Sequence, residues 1–326
     1  MKRIYLFASF LLVSMGFVFT SCDSDDDLSS TSVFAGDTIK TQNEFDKWIV
    51  KNYLTPYNID FQYRYNDKLS DQTYNVIPAD YDKSVALAIL VKHMWLDAYS
   101  EAFENVYKKD AATYYEGKGM NFLRTYSFRQ MQLIGSNEYS ANGSIIQGSA
   151  EGGLKIMLYG VNRLDIDNPR INVEDPYEDR EVMPIDMNYW FFHTMHHEFC
   201  HILTQKKSYS TDYQTITAGS YHSQDWVNLK DSAVQKEGFV TAYGSSEYNE
   251  DFAEMYATYV TMTPDAWQMI LNKAGKEGAA LLESKLSLVR SYFSESWGLD
   301  IDEMRDIVLR RSSEALLLNL RDLEAN

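Results

Sequence analysis

Apolar positions recur at helical spacing between Asn43 and about Tyr53, where Phe45, Trp48 and Ile49, followed by Leu54, share a face, and Pro56 closes the segment. Next, Ile59, Phe61, Tyr63 and Tyr65 alternate with Asp60, Gln62, Arg64 and Asn66, the pattern of a half-buried strand. From Asp82 to about Val106 apolar residues run on without Gly or Pro, which predicts a long, mostly buried helix. Phe122–Ile134 and Gly153–Val161 are rich in aromatic and branched residues and predict strands. The rest is helical by its spacing: Asn188–Lys206, Glu250–Met262, Pro264–Lys273, Gly278–Ser294 and Asp302–Leu318. Strands in the first half and helices in the second predict an α+β domain, or a sheet-bearing N-terminal lobe joined to a mainly helical C-terminal lobe with a cleft between them.

The first residues stand apart from this pattern. Lys2 and Arg3 precede an apolar run from Ile4 to Phe19, then Thr20 and Ser21 stand directly before Cys22. The run is too short to span a bilayer, so residues 1–21 are expected to be a signal peptide. The order of charges, apolar core, small residues and Cys resembles a lipoprotein signal, which implies that Cys22 carries the lipid anchor. Residues 22–40 open with Asp23, Ser24, Asp25, Asp26 and Asp27, too polar to bury, and are expected to be a flexible acidic tether. An acidic run directly after the lipidated Cys resembles the export signal of surface lipoproteins in Bacteroidota. It implies a secreted lipoprotein of the outer membrane, exposed at the cell surface. The folded domain is then residues 41–326.

Loss of residues 1–21 removes two cations and no acid, taking the net charge from -17 to -19, so nucleic acid is excluded as a partner. Cys22 and Cys200 are the two cysteines, which leaves no internal disulfide framework even in an oxidising exterior. Stability therefore rests on a hydrophobic core, and with 45% hydrophobic residues the chain can build one.

The chemistry concentrates at His197, Glu198, Phe199, Cys200 and His201, which fit the pattern His-Glu-x-x-His within a predicted helix. At about 100° per residue, the two histidines lie one turn apart on one face and can aim at one ion, with Glu198 beside them as general base for a water. Trp190, Phe191, Met195, Phe199, Ile202 and Leu203 surround them with apolar residues, a setting in which unpartnered imidazoles and a carboxylate are costly. His193 and His196 are poor ligand candidates: His193 is about 12 Å from His201 along the axis, and His196 points elsewhere. A catalytic zinc takes three protein ligands and keeps one position for water. The metzincin pattern would put its third histidine at position 207, but Thr204 and Lys207 break that pattern. A carboxylate from Asn249–Glu254 remains, where Glu250 and Glu254 share a helix face and Asp251 does not. One glutamate can bind zinc while the other hydrogen-bonds the N–H of a ligating histidine.

Tyr243–Gly244 followed by Glu250-Asp251-Phe252-Ala253-Glu254 resembles the second catalytic segment of gluzincins of the anthrax lethal factor type, which also carry His-Glu-Phe-x-His upstream. The resemblance spans about residues 188–262 and implies a zincin-like fold with the metal in the cleft. It makes Glu250 the third ligand, Glu254 the carboxylate orienting a ligating histidine, and Tyr243 the phenol facing the substrate. Cys200 and Asp251 depart from that pattern, standing where Gly and an aromatic residue are usual. With its lipoprotein start, the chain resembles the zinc-binding metallopeptidase lipoproteins associated with nutrient-import systems. The expectation is a hydrolase with one zinc per chain that cleaves peptide or protein substrates, anchored through Cys22 beside outer-membrane import proteins. Two alternatives use the same residues: a surface binding lipoprotein with a non-catalytic zinc site, and a zinc amidase acting on non-peptide amides. The run Leu154–Tyr159 suits either a peptide-docking edge strand or an interior strand. Trp95, Trp226, Trp267 and Trp297 suit core packing, with a cleft lining as the alternative.

Overall fold

A computed structural model of the chain describes residues 42–66, 76–140, 145–146, 148–151, 153–180 and 182–325. The expected signal peptide, Cys22 and the tether lie outside the described residues. From Glu44 onward the chain forms one compact unit.

Helix α1 (44–57) buries Phe45, Trp48, Ile49, Tyr53 and Tyr57, continues through Pro56 and ends at Asn58 in the left-handed conformation. Strand β1 (Asp60–Gln62) follows, and then α2 (81–108), which begins where the Asp80 carboxylate accepts hydrogen bonds from the amides of Asp82 and Lys83. The first part of the run predicted as strand is instead α3 (Lys118–Tyr126). Its aromatic residues sit at positions 122 and 126, one helical turn apart, so they serve a helix packed on α2 as well as they would a strand. Phe122 stacks on Phe103, and Gly119 lies so close to α2 that a Cβ there would come within 2.1 Å of the Ser100 carbonyl.

The second part of that run is β2 (Gln130–Leu133). A short hairpin of β3 (Glu138–Tyr139) and β4 (Ile145–Ile146) leads to β5 (Gly148–Glu151) and β6 (Lys155–Leu158). The main sheet has the order β1-β2-β6-β5, with β1, β2 and β6 parallel and β5 antiparallel to β6. Met131 pairs with Phe61 on one side and Ile156 on the other, and α2 with α3 makes the crossover that parallel β1 and β2 require. Strand β6 is therefore interior, and the edges of the sheet are β1 and β5.

Helix α4 (188–206) matches its predicted span, with a wider first turn over Asn188–His193. Its apolar side chains pack into the core, Phe199 making edge-on contacts with Trp95 and Tyr99 of α2. Helix α5 (Tyr248–Thr261) lies against it. Helix α6 (Pro264–Tyr292) covers both helices expected between positions 264 and 294 and breaks at Gly275, whose φ of 73° and ψ of -179° are non-helical. Helix α7 (Ile301–Ala315) packs on α2 and α5. The architecture is α+β and helix-rich. No helix among the described residues is long and apolar enough to cross a membrane.

Candidate metal centre

One turn of α4 separates His197 from His201, and their Nε2 atoms stand 3.0 Å apart. A single oxygen of Glu250, Oε2, lies 2.9 Å from the first and 3.2 Å from the second. Glu250 reaches this point from the first turn of α5, where its amide donates to the Glu247 carboxylate that caps the helix. A tetrahedral zinc with ligands at about 2.0–2.1 Å has ligand–ligand edges of about 3.3 Å, so this nearly equilateral triangle fits that ion with small adjustments. Among the described residues, these three make the one His/Cys/Asp/Glu group with atoms close enough to share an ion.

Behind the triangle, Glu254 occupies the same face of α5 one turn on and is almost fully buried. Its Oε1 lies 2.7 Å from His197 Nδ1 and 3.0 Å from His193 Nε2, while Oε2 accepts from the Thr241 hydroxyl at 2.7 Å. His197 is therefore held through both ring nitrogens. Burial alone would lower its pKa, but Glu250 and Glu254 overcome this and raise it well above the usual imidazole range. For Glu250 the balance is reversed: burial raises its pKa, and the two imidazoles bring it well below the usual carboxylate value. His193, set aside from the sequence as a ligand, is joined to the site through Glu254. His196 turns to the other side of α4, where its Nδ1 meets the Tyr99 hydroxyl at 2.8 Å and burial lowers its pKa to about 3.

Asp251, which does not share the face of the two glutamates, points away from the triangle. It is fully buried with Lys285 of α6, its Oδ2 accepting from Nζ at 2.6 Å and from the Tyr221 hydroxyl at 3.0 Å. Nothing in the sequence pattern singled out Lys285. A lysine among Leu282, Leu286 and Val289 on the buried side of α6 was the available signal.

Glu198 lies between two cavities with His197 and Tyr243. One, of about 550 Å³, is walled by Trp190, Thr194 and Trp226, and the other, of about 600 Å³, by His201, Gln205 and Glu250. Burial raises the Glu198 pKa, in part opposed by the two imidazoles. The Tyr243 ring centroid is 5.7 Å from that of His197 and 4.9 Å from that of Trp226, and burial together with the charge of Glu250 holds the phenol well above its usual pKa. Of the four tryptophans considered, Trp226 lines this cleft, while Trp95, Trp267 and Trp297 are buried in the core.

An α+β chain carrying two imidazoles one helical turn apart, a carboxylate from a second helix and a glutamate beside them has the donor set of a mononuclear zinc protein. The family model described as "Putative zinc-binding metallo-peptidase" matches residues 38–302, and the chain belongs to that family. It is also similar to a solved crystal structure, described as a "putative zinc-binding metallo-peptidase", from Bacteroides caccae. The two chains share 37% identity, with 86% of this chain and 95% of the other covered at a TM-score of 0.67. No curated protein matched.

Proposed function

We propose that this chain is a gluzincin-type zinc peptidase in which His197, His201 and Glu250 hold one zinc and Glu198 is the general base. The observation that carries the proposal is the donor triangle, its edges between 2.9 and 3.2 Å, bordered by Glu198 where two cavities meet. When bound, the zinc acidifies a water and polarises a substrate carbonyl. Glu198, kept protonatable by its burial, takes the water's proton and returns it to the leaving amine. The Tyr243 hydroxyl, whose raised pKa keeps it protonated, donates to the oxygen on which charge develops. Glu254 fixes the ring orientation of His197.

A zincin-like cleft between a sheet-bearing part and a helical part accounts for these positions. Strand β5 borders it at Gly148 and packs against α4 so closely that a Cβ there would come within 2.7 Å of Thr194. Among the described residues β5 pairs with β6 alone, and its other edge, rather than the run 154–159, is where an extended peptide would add its own backbone hydrogen bonds. Secretion, lipidation at Cys22 and display at the outer membrane beside import proteins belong to the same proposal. They rest on residues 1–27.

The test combines metal content with activity. The protein is expected to hold about one zinc per chain, His197→Ala and His201→Ala to lose it, and Glu198→Gln to keep it while losing hydrolysis of a peptide library. Full zinc in both histidine variants sinks the site, and full activity in Glu198→Gln removes the base. A zinc-loaded parent inert on peptides but active on other amides is the amidase. One inert on both is the binding lipoprotein.

A further inference from the structure

Lys285 is fully buried in α6, yet its ammonium group reaches the two segments that carry the candidate site. Nζ donates to the Gly238 carbonyl at 2.8 Å and to Asp251 Oδ2 at 2.6 Å, and lies 4.1 Å from the centre of the Phe239 ring. The Gly238 contact fixes the start of the loop that continues through Thr241 to Tyr243. Thr241 donates to Glu254, and Gly244 N donates to Thr241, so the loop is bound to the site from both directions. Its start is also pressed on α6. Gly238 has a φ of 88° and no room for a Cβ, which would fall 2.6 Å from that of Leu281.

The Asp251 contact fixes the first turn of α5. Besides Lys285, Asp251 takes hydrogen bonds from the Tyr221 hydroxyl on its carboxylate and from the Tyr213 hydroxyl on its carbonyl, both at 3.0 Å. One residue earlier, Glu250 projects from the same turn towards the two imidazoles. A buried ion pair is weak evidence of stabilisation, since apolar residues of similar size often replace one without loss. What it adds here is a further tie between two segments that also meet directly, through the Thr241–Glu254 hydrogen bond and where Gly244 packs on Asp251 and Glu254.

We propose that Lys285 is a positioning residue for the metal centre, holding the first turn of α5 so that Glu250 meets the two imidazoles and the 238–245 loop so that Tyr243 stands beside them. The inference rests on the zinc site assigned above. Its test is zinc affinity, measured with Zn²⁺ alone by competition against a chromogenic chelator on the mature chain, a readout that needs no substrate. Lys285→Met is expected to bind zinc about tenfold more weakly, at the lower end of what removing an orienting partner costs. Because that variant strands a buried carboxylate, Asp251→Asn/Lys285→Met carries the same test in a chain without the stranded charge. It is expected to melt within a few degrees of the parent and still bind zinc several-fold more weakly. If activity is found, the turnover losses of Lys285→Met and Tyr243→Phe should combine to less than their product. Parent-like zinc affinity in a folded Lys285→Met, or its recovery in the double variant, overturns the positioning role. A parent that binds no zinc sinks the metal assignment itself, and this inference with it.

Discussion

Replacing Glu254 by Gln changes one atom and isolates the contribution of its charge. The carboxylate serves three neighbours: His197 Nδ1 at 2.7 Å, His193 Nε2 at 3.0 Å and the Thr241 hydroxyl at 2.7 Å. A glutamine can keep its oxygen towards the imidazoles only by turning its NH₂ towards Thr241 Oγ1, which already accepts from Gly244 N. The bond to His197 then becomes neutral, and a hydrogen bond to a charged group exceeds a neutral one by about 1–1.5 kcal/mol. Weaker orientation of the ring and lower basicity of its Nε2 follow. The expected loss of zinc affinity is about 10–100-fold, or about 1.4–2.7 kcal/mol. Competition with a chelator of known affinity at neutral pH measures it, with Glu250→Ala alongside, which should lose most of the metal. Parent-like affinity in Glu254→Gln would show that the carboxylate does nothing for His197. Loss as complete as in Glu250→Ala would show that Glu254 does more than orient His197 and would refute the division of roles between the two glutamates.

Tyr243→Phe should retain zinc and slow turnover by about 10²–10³-fold, the usual effect of losing one donor to a developing oxyanion; unchanged turnover in steady-state assays would remove the phenol from the reaction. Glu101 of α2 accepts from Arg310 and Arg311 of α7 at 2.6–2.7 Å, and although burial raises its pKa these bonds lower it below the usual value. A lowered folded-state pKa contributes stability that is present above the unfolded value of about 4.3 and lost as pH falls through the folded one. Glu101→Gln should therefore cost about 1 kcal/mol at pH 7 and progressively less below about pH 4, because a third of the side chain is exposed. Thermal melts at both pH values check the sign. Gly119→Ala should destabilise by well over 1 kcal/mol, because its Cβ would meet backbone atoms of Ser100 and Glu104 that cannot move aside; a parent-like melting temperature would refute that close packing.

Periodicity located the long elements because burial on one face leaves a clear trace. Helix α4 was legible to the residue from its apolar side chains, and α5 to within two positions at its start. The strand assigned across 122–126 failed because aromatic residues suit helix and strand alike. What separates the two there is the tight approach at Gly119, a tertiary fact. Strand β5, built on Gly148, Ser149 and Ala150, lacks the alternation that marks a strand. An edge packed against a helix by a glycine has no large side chains to show. At the site, spacing on one helix could be derived from 3.6 residues per turn. That His193 shares Glu254 with His197, and that Lys285 grips Asp251, depended on how α4, α5 and α6 meet, which no local pattern encodes.

Four histidines lie within nine residues of α4, and a metal ion will recruit any imidazole that can swing into reach. His196 adjoins His197 in sequence but is withheld, its ring seated against Tyr99, whose hydroxyl in turn meets that of Tyr256 at 2.9 Å. Three bulky rings from α2, α4 and α5 fix how far α4 can roll about its own axis. The consequence concerns vacancy at the metal. At about 100° per residue, a roll of α4 that brought His196 round would carry His197 and His201 off Glu250. By engaging His196 on the far side of the helix, the two tyrosines keep His197 and His201 turned towards Glu250, a set of three protein donors, the number with which a catalytic zinc would keep one position for water.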